Sequence, residues 1–184
     1  QMVRAYMQPT ENRPEANTTE SARTVLAAEV DALLDYSGGL ADYHRDDPWR
    51  APVVEHFRWN LEQMIVKCQK RAVPLLLVRP VSNLLDCPPF KFDVDLSLTF
   101  ELQTEFLRAW EVAHSDADPK VALEAVDRAL AIDPRHAGAL FLKGRVLAEG
   151  GDWHAAKTLL TAARDEDVCP LRAITPIASS VTEL

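Results

Sequence analysis

Two short segments concentrate the side chains that could do chemistry. SNLLDCPPFK, residues 82–91, offers an amide donor in Asn83, a carboxylate in Asp86, a thiol in Cys87 and a cation in Lys91. RDEDVCPLRA, residues 164–173, has a similar composition, with Asp165, Asp167, Cys169 and Arg172. A thiolate becomes a nucleophile when an electropositive neighbour lowers its pKa, and amide or cationic donors can hold a developing oxyanion. The first segment follows the apolar run PLLLV, and loops at the carboxyl ends of strands are where α/β proteins place their chemistry. An insertion whose two ends return to one place would unite both segments in one constellation, a candidate substrate rim. The plainer reading has Pro88 and Pro89 stiffening a connection while Asn83 and Asp86 hydrogen-bond its turns. The sequence supports both readings.

A complete catalytic set is missing, and no residue is assigned as catalytic. There is no GxSxG and no Gly-Asp-Ser, so neither serine-hydrolase elbow is present. The five histidines include no HExxH and no HxH pair, and the three cysteines form no CxxC, so no metal site is expected. His56 reads as a structural residue beside an apolar helix face, and His136 and His154 as repeat-surface residues. The adjacent carboxylates Asp46 and Asp47 are explained by helix capping at Asp47. Six glycines, four of them between Gly138 and Gly151, leave no phosphate-cradling loop, and no cofactor is expected.

The formal charge of −8 opposes unspecific nucleic-acid binding, which requires a basic surface. No apolar run approaches the roughly 20 residues that span a bilayer, and the first residues lack the apolar core of a signal peptide. The chain itself is therefore expected to touch neither nucleic acid nor membrane. Its compartment stays open, with free thiols leaning towards a reducing one such as the cytoplasm.

The positioning elements follow from periodicity. Residues 1–18 form a polar, proline-containing lead-in. A helix is expected from Thr19, with Val25, Leu26, Val30, Leu33 and Leu34 on one face, ending at YSGGL. Asp47 as cap and Pro48 in the first turn open a second helix whose apolar face is Val53, Val54, Phe57, Leu61, Met64, Ile65 and Cys68. PLLLV, residues 74–78, then reads as a buried strand, with FDVDLSL as a weaker partner run.

From Leu96 the pattern changes to helix pairs. ALEAVDRALAIDPRHAGAL resembles the second helix and closing turn of a tetratricopeptide repeat, a helix–turn–helix unit of about 34 residues. With Gln103 and Ala137 at equivalent positions, the first repeat has Phe106 at the large aromatic position, Ala122 and Ala129 at small positions, and Pro134 at the closing turn. The second has Gly144 at a small position, Gly151-Asp152-Trp153 at the inter-helix turn, then Ala156, Leu160 and Ala163. Trp110 stands where the first repeat is usually small, and the second closing proline is displaced to Pro170. Small residues let paired helices approach where their axes cross. Two repeats are fewer than an independent solenoid needs, so they are expected to pack on the rest of the chain. A protein or peptide partner would be selected by side chains on the first helix of each pair, with Glu105, Arg108, Lys143 and Arg145 as candidates.

LAAEVDALLDYSGGLADYHRDDPWR, HFRWNLEQMIVKCQKRAVPLLLVRPVSNLLDCPPFK and ARDEDVCPLRAITPI together resemble the central part of bacterial proteins that combine an SGNH (GDSL-like) hydrolase domain with tetratricopeptide repeats. The likeness runs from about Leu26 to the end. It implies that the repeats are an insertion in an α/β hydrolase domain and that the chain is an excised middle. The family's serine lies in a Gly-Asp-Ser block and its histidine in an Asp-x-x-His block. Neither occurs here, and Asn83 lacks the glycine context of the family's oxyanion asparagine, so no catalytic residue is carried over.

The expected fold is mainly α: tetratricopeptide-like hairpins on a partial α/β, SGNH-like segment with one or two short strands. Its parts are a lead-in (1–18), the partial hydrolase segment (19–95), two repeats (96–170) and a returning C-terminal segment (171–184). The expected function is a non-catalytic fragment bearing a packing and protein-interaction module, from an SGNH-type esterase or acyl-transfer protein. The alternatives are a self-contained enzyme using Cys87 or Cys169, and a purely structural scaffold.

Overall fold

The computed structural model describes Leu40, residues 43–115 and residues 118–184. The lead-in and the helix expected from Thr19 lie outside them. The described residues form six helices: α1 (Asp47–Lys70), α2 (Phe100–His114), α3 (Pro119–Ile132), α4 (Ala137–Glu149), α5 (Trp153–Asp165) and α6 (Thr175–Glu183). The architecture is mainly α, with no strand among the described residues.

Local chemistry sets the helix ends. Thr99 caps α2 through Leu102 N, Asp118 caps α3 through Lys120 N, and Asp152 caps α5 through Ala155 N. Each side-chain oxygen meets one of the amides that a helix start leaves unpaired. At α1 the cap is Asp46, accepting from Trp49 N at 2.9 Å, rather than Asp47, which is the first helical residue. The shift by one position frees the Asp47 carboxylate for Arg135. Helix α1 closes with Ala72 at a φ of +52°, while Ala72 N and Val73 N donate to Gln69 O and Cys68 O. Alanine takes that left-handed backbone at a steric cost that glycine avoids.

Helix α2 pairs with α3, α4 pairs with α5, and α3 packs on α4; α1 rests on α6. The core lies among α2, α3 and α4. One cluster joins Ala113, Ala125, Val126 and Ala139, and a second joins Phe106, Ala109 and Ala129, with Trp110 packed against both. A Cβ at Gly144 would stand 2.7 Å from Leu160 Cγ, so α4 and α5 approach closely because that position has no side chain. Gly151, at a φ of +87°, makes the turn between them.

Three expectations about α1 and the extended segments are corrected. Of the proposed apolar face of α1, only Leu61 is buried, while Val53 and Met64 are exposed. The reason is that α6 alone among the described helices packs extensively on α1. PLLLV is neither a strand nor buried: among the described residues no backbone hydrogen bond reaches residues 74–78, and a strand exists only where a second backbone pairs with it. FDVDLSL is a loop. Its Asp93 and Asp95 are held by Arg45 and turn contacts, and Asp95 N donates to Asp133 rather than to a strand.

Candidate functional site

The 82–91 and 164–173 segments meet, and the contacts are specific. Asp167, 2% exposed, accepts from Phe90 N at 2.6 Å, Lys91 N at 3.0 Å and Cys169 N at 3.1 Å. Val168 N donates to Lys91 O at 2.9 Å. From the other side Arg172 donates to Asn83 O at 2.9 Å, Cys87 O at 2.7 Å and Pro88 O at 3.2 Å. Arg50 of α1 closes the junction, donating to Asp165 O at 2.6 Å and Asp167 O at 2.7 Å. The two ends of the α2–α5 hairpin stack are thus tied together by an acid, two arginines and main-chain groups.

The remaining rim candidates are also engaged. Asn83 Oδ1 accepts from Leu85 N and Asp86 N, and its Nδ2 donates to Asp86 Oδ2 at 3.1 Å, a side-chain-built turn. Lys91 Nζ donates to Leu40 O and Tyr43 O and pairs with Asp93 at 2.9 Å. Asp165 accepts from Thr175 N and from Arg164. Cys87 is exposed and Cys169 half-buried. Burial, followed by the Asp167 charge, pushes the Cys169 thiol up, the opposite of what a nucleophile needs. Burial likewise raises the Asp167 carboxyl, against the pull of its three amide donors.

A second polar centre, which the sequence reading did not single out, lies beside the first. Asp133, 2% exposed, takes a bidentate pair from Arg45 at 3.1 and 3.0 Å, and also accepts from Asp95 N and Arg135 N. Arg135 in turn forks onto Asp47 at 2.6 and 2.8 Å and reaches Glu166 through Nε at 3.0 Å. Its hydrogen bond to Asp47 raises the Arg135 pKa and lowers that of Asp47. Of these groups Arg45, Asp47, Asp95 and Arg135 border a cleft of about 320 Å³ that also includes His44, Asp93 and Ser97. The only signal in the sequence was the closing turn AIDPRH, which supplies Asp133, Arg135 and His136 from one short stretch.

His136 corrects an expectation: it is buried rather than on a repeat surface. Its Nδ1 accepts from Ala139 N at 3.1 Å, capping α4. Its ring sits among Phe92, Phe106 and Trp110, with centroids 5.2, 4.6 and 4.8 Å away. Burial is the main reason its pKa falls to about 4, so the ring is neutral near neutral pH. His154 and His56 are exposed, and His56 stacks on Trp59.

The candidate partner-binding residues separate into two kinds. Lys143 is paired with Asp127 at 2.7 Å and Arg145 with Glu149 at 3.3 Å. Glu105 and Arg108 are exposed on α2. Among the described residues no group of three or more His, Cys, Asp or Glu could hold a metal ion, and no helix is long and apolar enough to cross a membrane.

No protein-family model, curated protein or solved structure matches the chain.

Proposed function

We propose that this chain is a non-catalytic packing and protein-interaction module. Its two helix pairs are tetratricopeptide-like repeats, set as an insertion in an SGNH-type esterase or acyl-transfer protein. The observation that carries this reading is the junction at Asp167 and Arg172. An insertion must leave and re-enter its host domain at neighbouring points, and here residues 83–91 and 165–172 are bound to each other across the whole α2–α5 stack. The close approach of α4 and α5 at Gly144 and the left-handed turn at Gly151 fall where the repeat pattern asks for a small residue and a turn.

In this role the rim segments border a host site without supplying its reacting atoms. Asn83, Asp86, Lys91, Asp165, Asp167 and Arg172 bind one another or main chain, so they fix the course of two loops. The partner-facing side chains left without a described ion pair are Glu105 and Arg108. Phe92 and Trp110 already cover Gly138 in the first turn of α4, so part of the helix surface serves internal packing.

Two measurements test the proposal. An antibody against the chain, used on source cells, should detect a polypeptide well above 20.5 kDa. That polypeptide should hydrolyse 4-nitrophenyl acetate, whereas the chain alone should not. A native band at the mass of the chain itself would remove the hydrolase host. Thiol-dependent hydrolysis by the chain alone would favour the cysteine alternative.

A further inference from the structure

We propose that Leu75–Arg79 is a β-addition site for an acidic, apolar strand of a protein partner. The proposal is independent of the repeat reading, since it uses only the basic end of α1 and the segment that follows it. In the stretch 73–81, which is neither helix nor strand, Leu76 is 85% exposed, Val78 75% and Val81 95%. No hydrogen bond to the backbone of Leu75–Arg79 forms among the described residues. Pro74 and Pro80 bracket the window. Proline cannot donate to a ladder, so they confine pairing to the five residues between them. An apolar extended run with free amides is a template for strand pairing.

Charge selects the occupant. Lys67, Lys70, Arg71 and Arg79 are exposed and form no ion pair among the described residues, and no acidic residue occurs between Glu62 and Asp86. In a chain of net charge −8 this is a local cationic frame around an apolar strand. A second copy pairing antiparallel would bring both sets of cations together with no acid between them, which opposes self-association. A bilayer would take the apolar side chains but leave the strand amides unpaired in hydrocarbon, at a cost of several kcal/mol per group. An extended peptide with carboxylates at its ends satisfies the amides, the apolar side chains and the cations together.

The test uses the whole chain and a synthetic decapeptide of alternating valine and threonine with glutamates at both ends. The same peptide ending in lysines is the comparator. Binding is followed by calorimetry and by amide hydrogen exchange. The glutamate peptide should bind and protect alternate amides within Leu75–Arg79, and the lysine peptide should bind far more weakly. Strands donate from alternate residues, so one of Leu76→Pro and Leu77→Pro should lower affinity about tenfold while the other changes it little. Because the segment makes no backbone hydrogen bond among the described residues and buries none of its side chains fully, both variants should keep the native helical circular dichroism. The combined Lys67→Glu, Lys70→Glu and Arg71→Glu variant should reverse the preference between the two peptides.

No binding, equal binding of the two peptides, or binding that ignores both prolines would overturn the proposal. So would a concentration-dependent dimer abolished by the prolines, which would make the occupant a second copy. Binding to phosphatidylserine vesicles without peptide-induced amide protection would do the same in favour of a lipid surface.

Discussion

Replacing Gly144 with alanine places a methyl carbon 2.7 Å from Leu160 Cγ, 2.9 Å from its Cδ2 and 3.3 Å from its backbone nitrogen. Two terms oppose each other. Alanine in a helix interior is favoured over glycine by about 1 kcal/mol. Overpacking a filled core costs about 1–3 kcal/mol. Leu160 is only 5% exposed, and the third contact is main chain, so a rotamer change alone cannot relieve the overlap. The cost should therefore fall at the upper end of that range, leaving a net loss of about 2 kcal/mol.

Urea unfolding followed by circular dichroism would read this as a lower midpoint at unchanged slope. Two variants calibrate the result. Gly150→Ala meets only carbonyl oxygens at 3.4 and 3.5 Å from a right-handed backbone, and should be neutral or slightly stabilising. Leu160→Ala alone should cost about 2–5 kcal/mol. In the double variant the Gly144 methyl enters the space that Leu160 vacates, so the two losses should fall short of additivity by about 2 kcal/mol. If Gly144→Ala matches wild type, or the pair is strictly additive, the close α4–α5 approach is not what this glycine serves.

Four further outcomes are expected. His136, at a pKa of about 4 when folded against an ordinary value of about 6.5, contributes stability that is fully present above pH 6.5. That contribution should be lost as pH falls through 4, by about 3 kcal/mol, and His136→Gln should flatten the profile over that window. Asp133→Ala leaves the Arg45 guanidinium without its bidentate partner and should cost about 3–5 kcal/mol in urea unfolding. Ala72→Gly relieves the left-handed backbone at the end of α1 and should raise the unfolding midpoint, by about 1 kcal/mol in free energy. A pH titration of iodoacetamide labelling should place Cys169 above an ordinary thiol, and a Cys169 titrating below that value would contradict its burial beside Asp167.

The helix pairs were legible in the sequence because their signals are local. The small residues Ala122, Ala129, Gly144 and Ala156, the closing turn at Pro134 and the glycine turn at 151 act within one or two turns of chain. The same locality explains the failures. The apolar face of α1 and the run PLLLV had the composition of buried elements, but burial needs a covering surface, and periodicity cannot say whether one is there. His136 looked like a surface residue because nothing nearby in sequence revealed that Phe92, Phe106 and Trp110 would close around it.

The candidate rim divides along the same line. The sequence by itself determined which side chains could take part: acids, amides, cysteines and cations clustered in two segments. That they meet, and that their polar atoms are taken up by main chain and by one another, was decided by the tertiary structure. A buried carboxylate such as Asp167 or Asp133 is stable only with donors supplied from far along the chain, here Phe90 and Lys91 in one case and Arg45 in the other. Those pairings depend on the hairpin stack closing on itself, and no local pattern of residues encodes that closure.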